Sequence, residues 1–183
     1  LYSRFLHAGN GISTMSEVHG MAKSKVRVIC GTGTGKSAAA LGYAMMGIFQ
    51  GKRVIMVQFL KGVLDAGASE VLKKLEPDLK VFQIERSHGL FADLPKKQQE
   101  EELINLRNGF NYAKKVMVTG ECEVLVLDEV LGLVDQGIIS REEFSAFLES
   151  RDEEIELVMT GRNCPPGIES YVDFISRTEN TKG

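Results

Sequence analysis

Cysteine is scarce and scattered in this chain. There are three in 183 residues, Cys30, Cys122 and Cys164, and no C-x-x-C pair. An odd, widely spaced set excludes a disulfide framework and a cysteine-type zinc site, and it fits a reducing cytoplasm. Long apolar runs are missing as well. None approaches the roughly 18 residues that a membrane helix needs. Basic charge is not in excess: 22 Lys and Arg stand against 25 Asp and Glu, a net charge of -3. A dedicated nucleic-acid binder needs a basic footprint, so nucleic acid is set aside as a partner. No internal repeat or low-complexity tract is visible. What remains is 43% hydrophobic and 26% charged, ordinary values for one domain with a real core.

Leu1 to Gly20 stand apart from the rest. They show no clear periodicity, no continuous apolar segment of the signal-peptide kind, and a single basic residue, Arg4. They read as a leader or flexible arm, native or derived from cloning. Residues 21–183 then form a single domain.

Along that domain, strand and helix signals alternate. Val26–Cys30 is a short apolar strand, followed by Gly31-Thr-Gly-Thr-Gly35. Lys36 to about Gln50, rich in Ala, Leu and Met, predicts a helix that stops at Gly51. Arg53–Leu60 reads as a second strand, Ser69–Leu75 as a short helix ended by Pro77, and Lys80–Glu85 as a third strand. Ser87–Pro95 is a loop. Lys96–Thr119 is a long helix, with Leu103, Leu106, Phe110, Ala113 and Met117 recurring at spacings of three and four. That stripe predicts core or a dimer contact. Glu123–Asp128 is a fourth strand. Ser140 to Glu143 is a capping box that opens a helix through Leu148. Ile155–Thr160 is a fifth strand, and Tyr171–Arg177 a sixth. The strands are continuous apolar runs, which predicts an α/β fold with a mostly parallel central sheet covered on both faces.

The most informative stretch is Cys30-Gly-Thr-Gly-Thr-Gly-Lys36-Ser37, between a strand and a helix. This is the context of a phosphate-binding P-loop (Walker A). Glycines let successive backbone N–H groups point inward, and the following helix adds its positive end. Gly31, Thr32, Gly33, Thr34, Gly35, Lys36, Ser37 and Ala38 are the candidate ATP and phosphate contacts. Lys36 would neutralise the terminal phosphates, and the Ser37 hydroxyl would ligate a magnesium ion. The general pattern wants glycine where Cys30 stands, so Gly31 and Gly33 carry the early flexibility. Cys30 itself reads as a buried loop residue.

Val124-Leu-Val-Leu-Asp128-Glu129 ends an apolar strand in two carboxylates, the Walker B pattern. Asp128 would hold the metal directly or through water, and Glu129 would be a second ligand or a base. Together the motifs imply a P-loop NTPase-like three-layer domain that handles a Mg-nucleotide. They do not say which bond is broken.

At this point the chain resembles the ATP:corrinoid adenosyltransferases. Gly31-Thr-Gly-Thr-Gly-Lys-Ser-Ala38 is similar to that family's offset-glycine loop, typically G-N-G-K-G-K-T-T. Val57-Gln-Phe-Leu-Lys-Gly62 resembles its V-Q-F-[IL]-K-G strand end, and Leu125–Glu129 its Walker B. Thr160-Gly-Arg162 matches its T-G-R turn. Asp173 with Thr178-Glu179 resembles its A-D-x-V-[ST]-E closing motif. Thr34 and Ala38 depart from the family's lysine and second threonine, and no tryptophan is present where family members often carry an aromatic cluster.

The resemblance implies transfer of the 5′-deoxyadenosyl group of ATP to the Co(I) of a reduced corrinoid, with triphosphate released. Lys36 and Glu129 would be the catalytic residues, with Ser37, Asp128 and Glu129 on magnesium or manganese. Lys61, His88, Phe91 and Arg162 are the substrate-side candidates. An unidentified reductase and a homodimer follow from the same resemblance. Two other readings stay open on the residues alone: a P-loop kinase or ATPase, and a non-catalytic ATP-binding regulatory module. Paired zinc cysteines of the thymidine-kinase kind are missing. Asp135 and Glu142–Glu143 read as capping and solvated surface.

Overall fold

The structure is a computed structural model that describes residues 25–60, 66–84 and 95–181. Residues 1–20, Lys61, His88 and Phe91 therefore lie outside the described residues.

The element order is β1 (Val26–Cys30), α1 (Lys36–Phe49), β2 (Val54–Gln58), α2 (Ala66–Lys73), β3 (Leu79–Gln83), α3 (Lys96–Thr119), β4 (Val124–Asp128), α4 (Leu131–Asp135), α5 (Arg141–Glu149), β5 (Glu156–Gly161) and β6 (Phe174–Arg177). The strands form one six-stranded sheet in the order β3-β2-β4-β5-β1-β6. Every pairing is parallel.

Alternating side chains of the central strands feed two separate cores. Ile55, Val57, Leu125, Leu127, Leu157 and Met159 face α3, α4 and α5. Val54, Met56, Val124, Val126 and Val158 face α1 and α2. The result is helix, sheet, helix, the three-layer arrangement that the continuous apolar strands predict. On the first face Phe110 of α3 meets Phe147 and Phe144 of α5, with ring centroids 5.2 and 6.5 Å apart. On the second, the small residues Ala40, Ala44 and Gly47 line the buried side of α1, which brings that helix close to the sheet.

Several elements differ in detail from the sequence expectation. The α2 helix starts earlier than Ser69 and ends at Lys73. Beyond it, the amides of Lys74, Leu75 and Glu76 bond three residues back, a tightening that carries the chain to Pro77. The strand β6 begins at Phe174, because Glu169–Tyr171 forms a 3-10 turn first. The five-residue α4 was not expected. Half of the capping box forms: Ser140 Oγ accepts from the Glu143 amide at 3.1 Å. The Glu143 carboxylate turns instead to Lys114 at 3.0 Å and Arg107 at 3.4 Å, tying α5 to α3.

Candidate active site

In an all-parallel sheet, ligands bind beyond the carboxyl ends of the strands, where neighbouring strands send the chain to opposite faces. Here β2 leads to α2 on one face and β4 leads to α4 on the other. Their ends stand in register, Gln58 opposite Asp128. Just beyond each end sits a non-glycine residue in the left-handed region, Leu60 at φ 52° and Glu129 at φ 63°. Such backbone costs about 1–3 kcal/mol per residue and persists only where surrounding structure imposes it.

The glycine-rich segment lies at the same edge. Cys30 ends β1, Gly31–Gly35 form the loop, and Lys36 opens α1. The first-turn amides of a helix have no intrahelical acceptor, so this end is a natural seat for an anion. Lys36 Nζ reaches back over the loop and donates to the carbonyls of Gly31 at 2.8 Å and Gly33 at 2.7 Å. Thr32, Thr34, Gly35 and Ala38 are exposed, while Gly31, Lys36 and Ser37 are half-buried.

Asp128 is the centre of the polar network. It is 0% exposed, unusual for a carboxylate, and three donors surround it. Thr160 Oγ1 donates to Oδ1 at 2.6 Å, Ser37 Oγ to Oδ1 at 3.2 Å, and Gln58 Nε2 to Oδ2 at 3.4 Å. Gln83 Nε2 donates in turn to Gln58 Oε1 at 3.3 Å, extending the chain of bonds to β3. Thr160 Oγ1 also accepts from the Glu129 amide at 2.8 Å, which pins the left-handed residue. Among the described residues, no buried side-chain N or O atom lacks a hydrogen-bond partner.

The structure thus brings Lys36, Ser37, Asp128 and Glu129 to one edge. Arg162 is beside the loop through its backbone: its carbonyl accepts from the Gly31 amide at 2.9 Å, and the residue is exposed. Cys30 is fully buried, as expected. The neighbouring Cys164 thiol is pushed up, first by burial and then by Cys30. Sequence reasoning did not place Gln58, Gln83, Thr160, Thr178 or Asn180 here. Gln58, Thr160 and Thr178 lie in stretches that carry the resemblance, and that was the available signal.

One hydroxyl and one carboxylate 3.2 Å apart suit a hard divalent cation that completes its shell with phosphate oxygens and water. Among the described residues, no group of three or more His, Cys, Asp or Glu could form a protein cage for a metal. The donor set therefore fits a magnesium-type ion that arrives with a polyphosphate.

Fold and edge together define an α/β protein of the P-loop class. A structural likeness agrees: a KaiC-like protein, PH0186, from Pyrococcus horikoshii OT3 superimposes with a TM-score of 0.53 at 16% identity, covering 87% of this chain and 74% of that one. That similarity concerns the fold alone. The family model for ATP:corrinoid adenosyltransferase BtuR/CobO/CobP matches residues 22–183, and the chain belongs to that family. The corrinoid adenosyltransferase of Escherichia coli K12 is 29% identical over 155 residues, 85% of this chain and 76% of that protein. Corrinoid adenosyltransferase CobA of Salmonella typhimurium is 27% identical over the same shares. An uncharacterized protein of Nostoc sp., all2391, is 30% identical over 92% of this chain, which spans 47% of its length.

Proposed function

We propose that this protein transfers the 5′-deoxyadenosyl group of ATP to the cobalt of a reduced corrinoid. The observation that carries the reading is the phosphate loop set against the Ser37–Asp128 pair at the carboxyl edge, in a chain that its family model matches over residues 22–183.

The reaction joins the cobalt to the ribose C5′. The electron pair of the new bond comes from Co(I). The C5′–O bond breaks, and its pair leaves with triphosphate. No protein nucleophile is required, because the substrate supplies the reactive electrons. The protein must hold the reactants in line, which can be worth about 7–11 kcal/mol. It must also receive a highly charged leaving group. Lys36 and the amides at the start of α1 would serve that task. Ser37 and Asp128 would hold the magnesium ion, with Glu129 as a second ligand or base. When bound, the ion neutralises charge on the departing triphosphate.

Lys61, His88, Phe91 and Arg162 remain the candidates for the corrinoid side. A reductase that supplies Co(I), a homodimer and a cytoplasmic location belong to the same reading. No described helix is long and apolar enough to cross a membrane. Phosphorus NMR of a complete reaction tests the proposal. Triphosphate should appear in step with the alkylated corrinoid. ADP and phosphate in its place would make the protein a kinase or ATPase.

A further inference from the structure

The chain does not leave the loop when β6 ends at Arg177. Thr178 and Asn180, just beyond it, stay bonded to the loop and its entry. The Thr178 amide donates to the Cys30 carbonyl at 2.8 Å, and the Gly33 amide donates to the Thr178 carbonyl at 2.9 Å. The Thr178 hydroxyl lies 3.3 Å from both the Cys30 and the Gly33 carbonyl oxygens. Asn180 Oδ1 accepts from the Thr34 amide at 3.2 Å and from the Thr34 hydroxyl at 3.4 Å.

Glycine is required at this contact. A Cβ on Gly31 would sit 2.2 Å from the Thr178 carbonyl oxygen, and one on Gly33 would sit 2.7 Å from the Glu179 nitrogen. Both opposing atoms are backbone and cannot swing aside. These two glycines therefore admit the closing segment, whatever else they do for phosphate. The first half of the loop is bonded to protein: Gly31 to Arg162, Gly33 to Thr178, Thr34 to Asn180. Its shape is set by chain 131 to 146 residues further on.

Thr178 also shares an acceptor with the loop lysine. The Gly33 carbonyl takes a bond from Lys36 Nζ at 2.7 Å and lies 3.3 Å from the Thr178 hydroxyl. Whatever orients that carbonyl orients the ammonium group.

We propose that Thr178–Asn180 is part of the ATP site, with Thr178 a positioning residue that fixes the first half of the phosphate loop and, through the Gly33 carbonyl, the place of Lys36. The proposal rests on the reading that residues 31–37 hold the phosphates of ATP. It does not depend on what the adenosyl group is transferred to.

The test is calorimetric titration of the full chain with Mg-ATP, without corrinoid, for wild type, Thr178→Ala and Thr178→Ser. Loss of the hydroxyl should weaken ATP binding about tenfold, the scale of one hydrogen bond that matters. Serine should restore affinity to within about twofold, and the melting temperatures of the three should agree to about 2 °C. In the transfer assay, kcat/KM for ATP should fall about tenfold in Thr178→Ala, and serine should restore it. An alanine variant with wild-type affinity overturns the proposal. So does a serine variant as weak as alanine, or an affinity loss matched by a fall in melting temperature. Wild type that fails to bind ATP overturns this proposal together with the nucleotide reading. Wild type that binds ATP but makes no adenosylated corrinoid strikes only the transfer reaction.

Discussion

The two ends of the sheet use polar residues in opposite ways. At the carboxyl end, hydroxyls and amides converge on a fully buried aspartate, and two non-glycine residues are held in left-handed backbone. At the amino end the charges pair on the surface. Arg53 meets Glu123 at 3.2 Å, and Arg27 and Lys52 each meet Glu156 at 3.4 Å. Arg27 also stacks between Tyr43 and Phe174, 5.1 and 4.5 Å from the ring centroids. The pairs on Glu156 are half-buried, while the exposed Arg53–Glu123 pair contributes about 0–1 kcal/mol and can be exchanged. A buried, fully bonded carboxylate cannot lose a partner without leaving another polar group unsatisfied. One end is therefore tolerant, and the other is over-determined around a task.

The comparison can be pressed by substitution. Lys36→Ala should lower kcat/KM by about 100-fold or more, the scale of losing a donor aimed at developing charge. Its melting temperature should stay within about 2 °C of wild type, since Lys36 is half-buried and, among the described residues, bonds to loop carbonyls. Asp128→Asn comes next. It keeps the shape of the buried side chain but removes the charge that Ser37, Thr160 and Gln58 surround. Activity should fall about tenfold or more, and the magnesium concentration for half-maximal rate should rise. An unchanged metal dependence would take Asp128 out of the site.

Effects at the amino end should be small. Burial alone would raise the Glu123 carboxyl, but hydrogen bonds from Arg53 and its charge outweigh this and hold it below the usual carboxylate range. A depressed carboxylate stabilises the fold above its unfolded pKa, and the contribution is lost as pH falls through the folded value. Glu123→Gln should cost about 0.2–1 kcal/mol near neutrality, and the gap from wild type should close as the solution is acidified. Activity should not change. Nearby, burial pushes the Cys122 thiol up to about 12, and the residue is 2% exposed. A thiol-specific maleimide at pH 8 should label Cys122 only after denaturant is added. Labelling of the native protein at the unfolded rate would mean that this end opens readily.

Much of this molecule was legible in its sequence. The α3 helix has the predicted bounds because Pro95 and Gly120 punctuate it on either side. Central strands such as β2 and β4 announce themselves as apolar runs because they are buried on both faces, whereas the edge strands β3 and β6 are largely exposed. Short or irregular pieces were harder. Leu131–Asp135 is a single turn with apolar residues on most sides, so no period marks it. At the edge of the sheet, Lys36, Ser37, Asp128 and Glu129 were readable because each belongs to a local pattern. Gln58 and Thr160 sat in recognisable stretches, but their common partner, Asp128, is fixed only by strand order. The contact of Thr178 with Gly33 spans 145 residues and depends on β6 pairing with β1, which no local pattern encodes.

The most direct test of the central claim is spectroscopic. The protein is mixed with Mg-ATP and a chemically reduced corrinoid, the visible spectrum is followed, and the product is exposed to light. The account predicts a photolabile adenosylcorrinoid from wild type, formed in step with triphosphate and lost in Lys36→Ala. A spectrum that does not change while ATP remains bound, across several corrinoids, would contradict it.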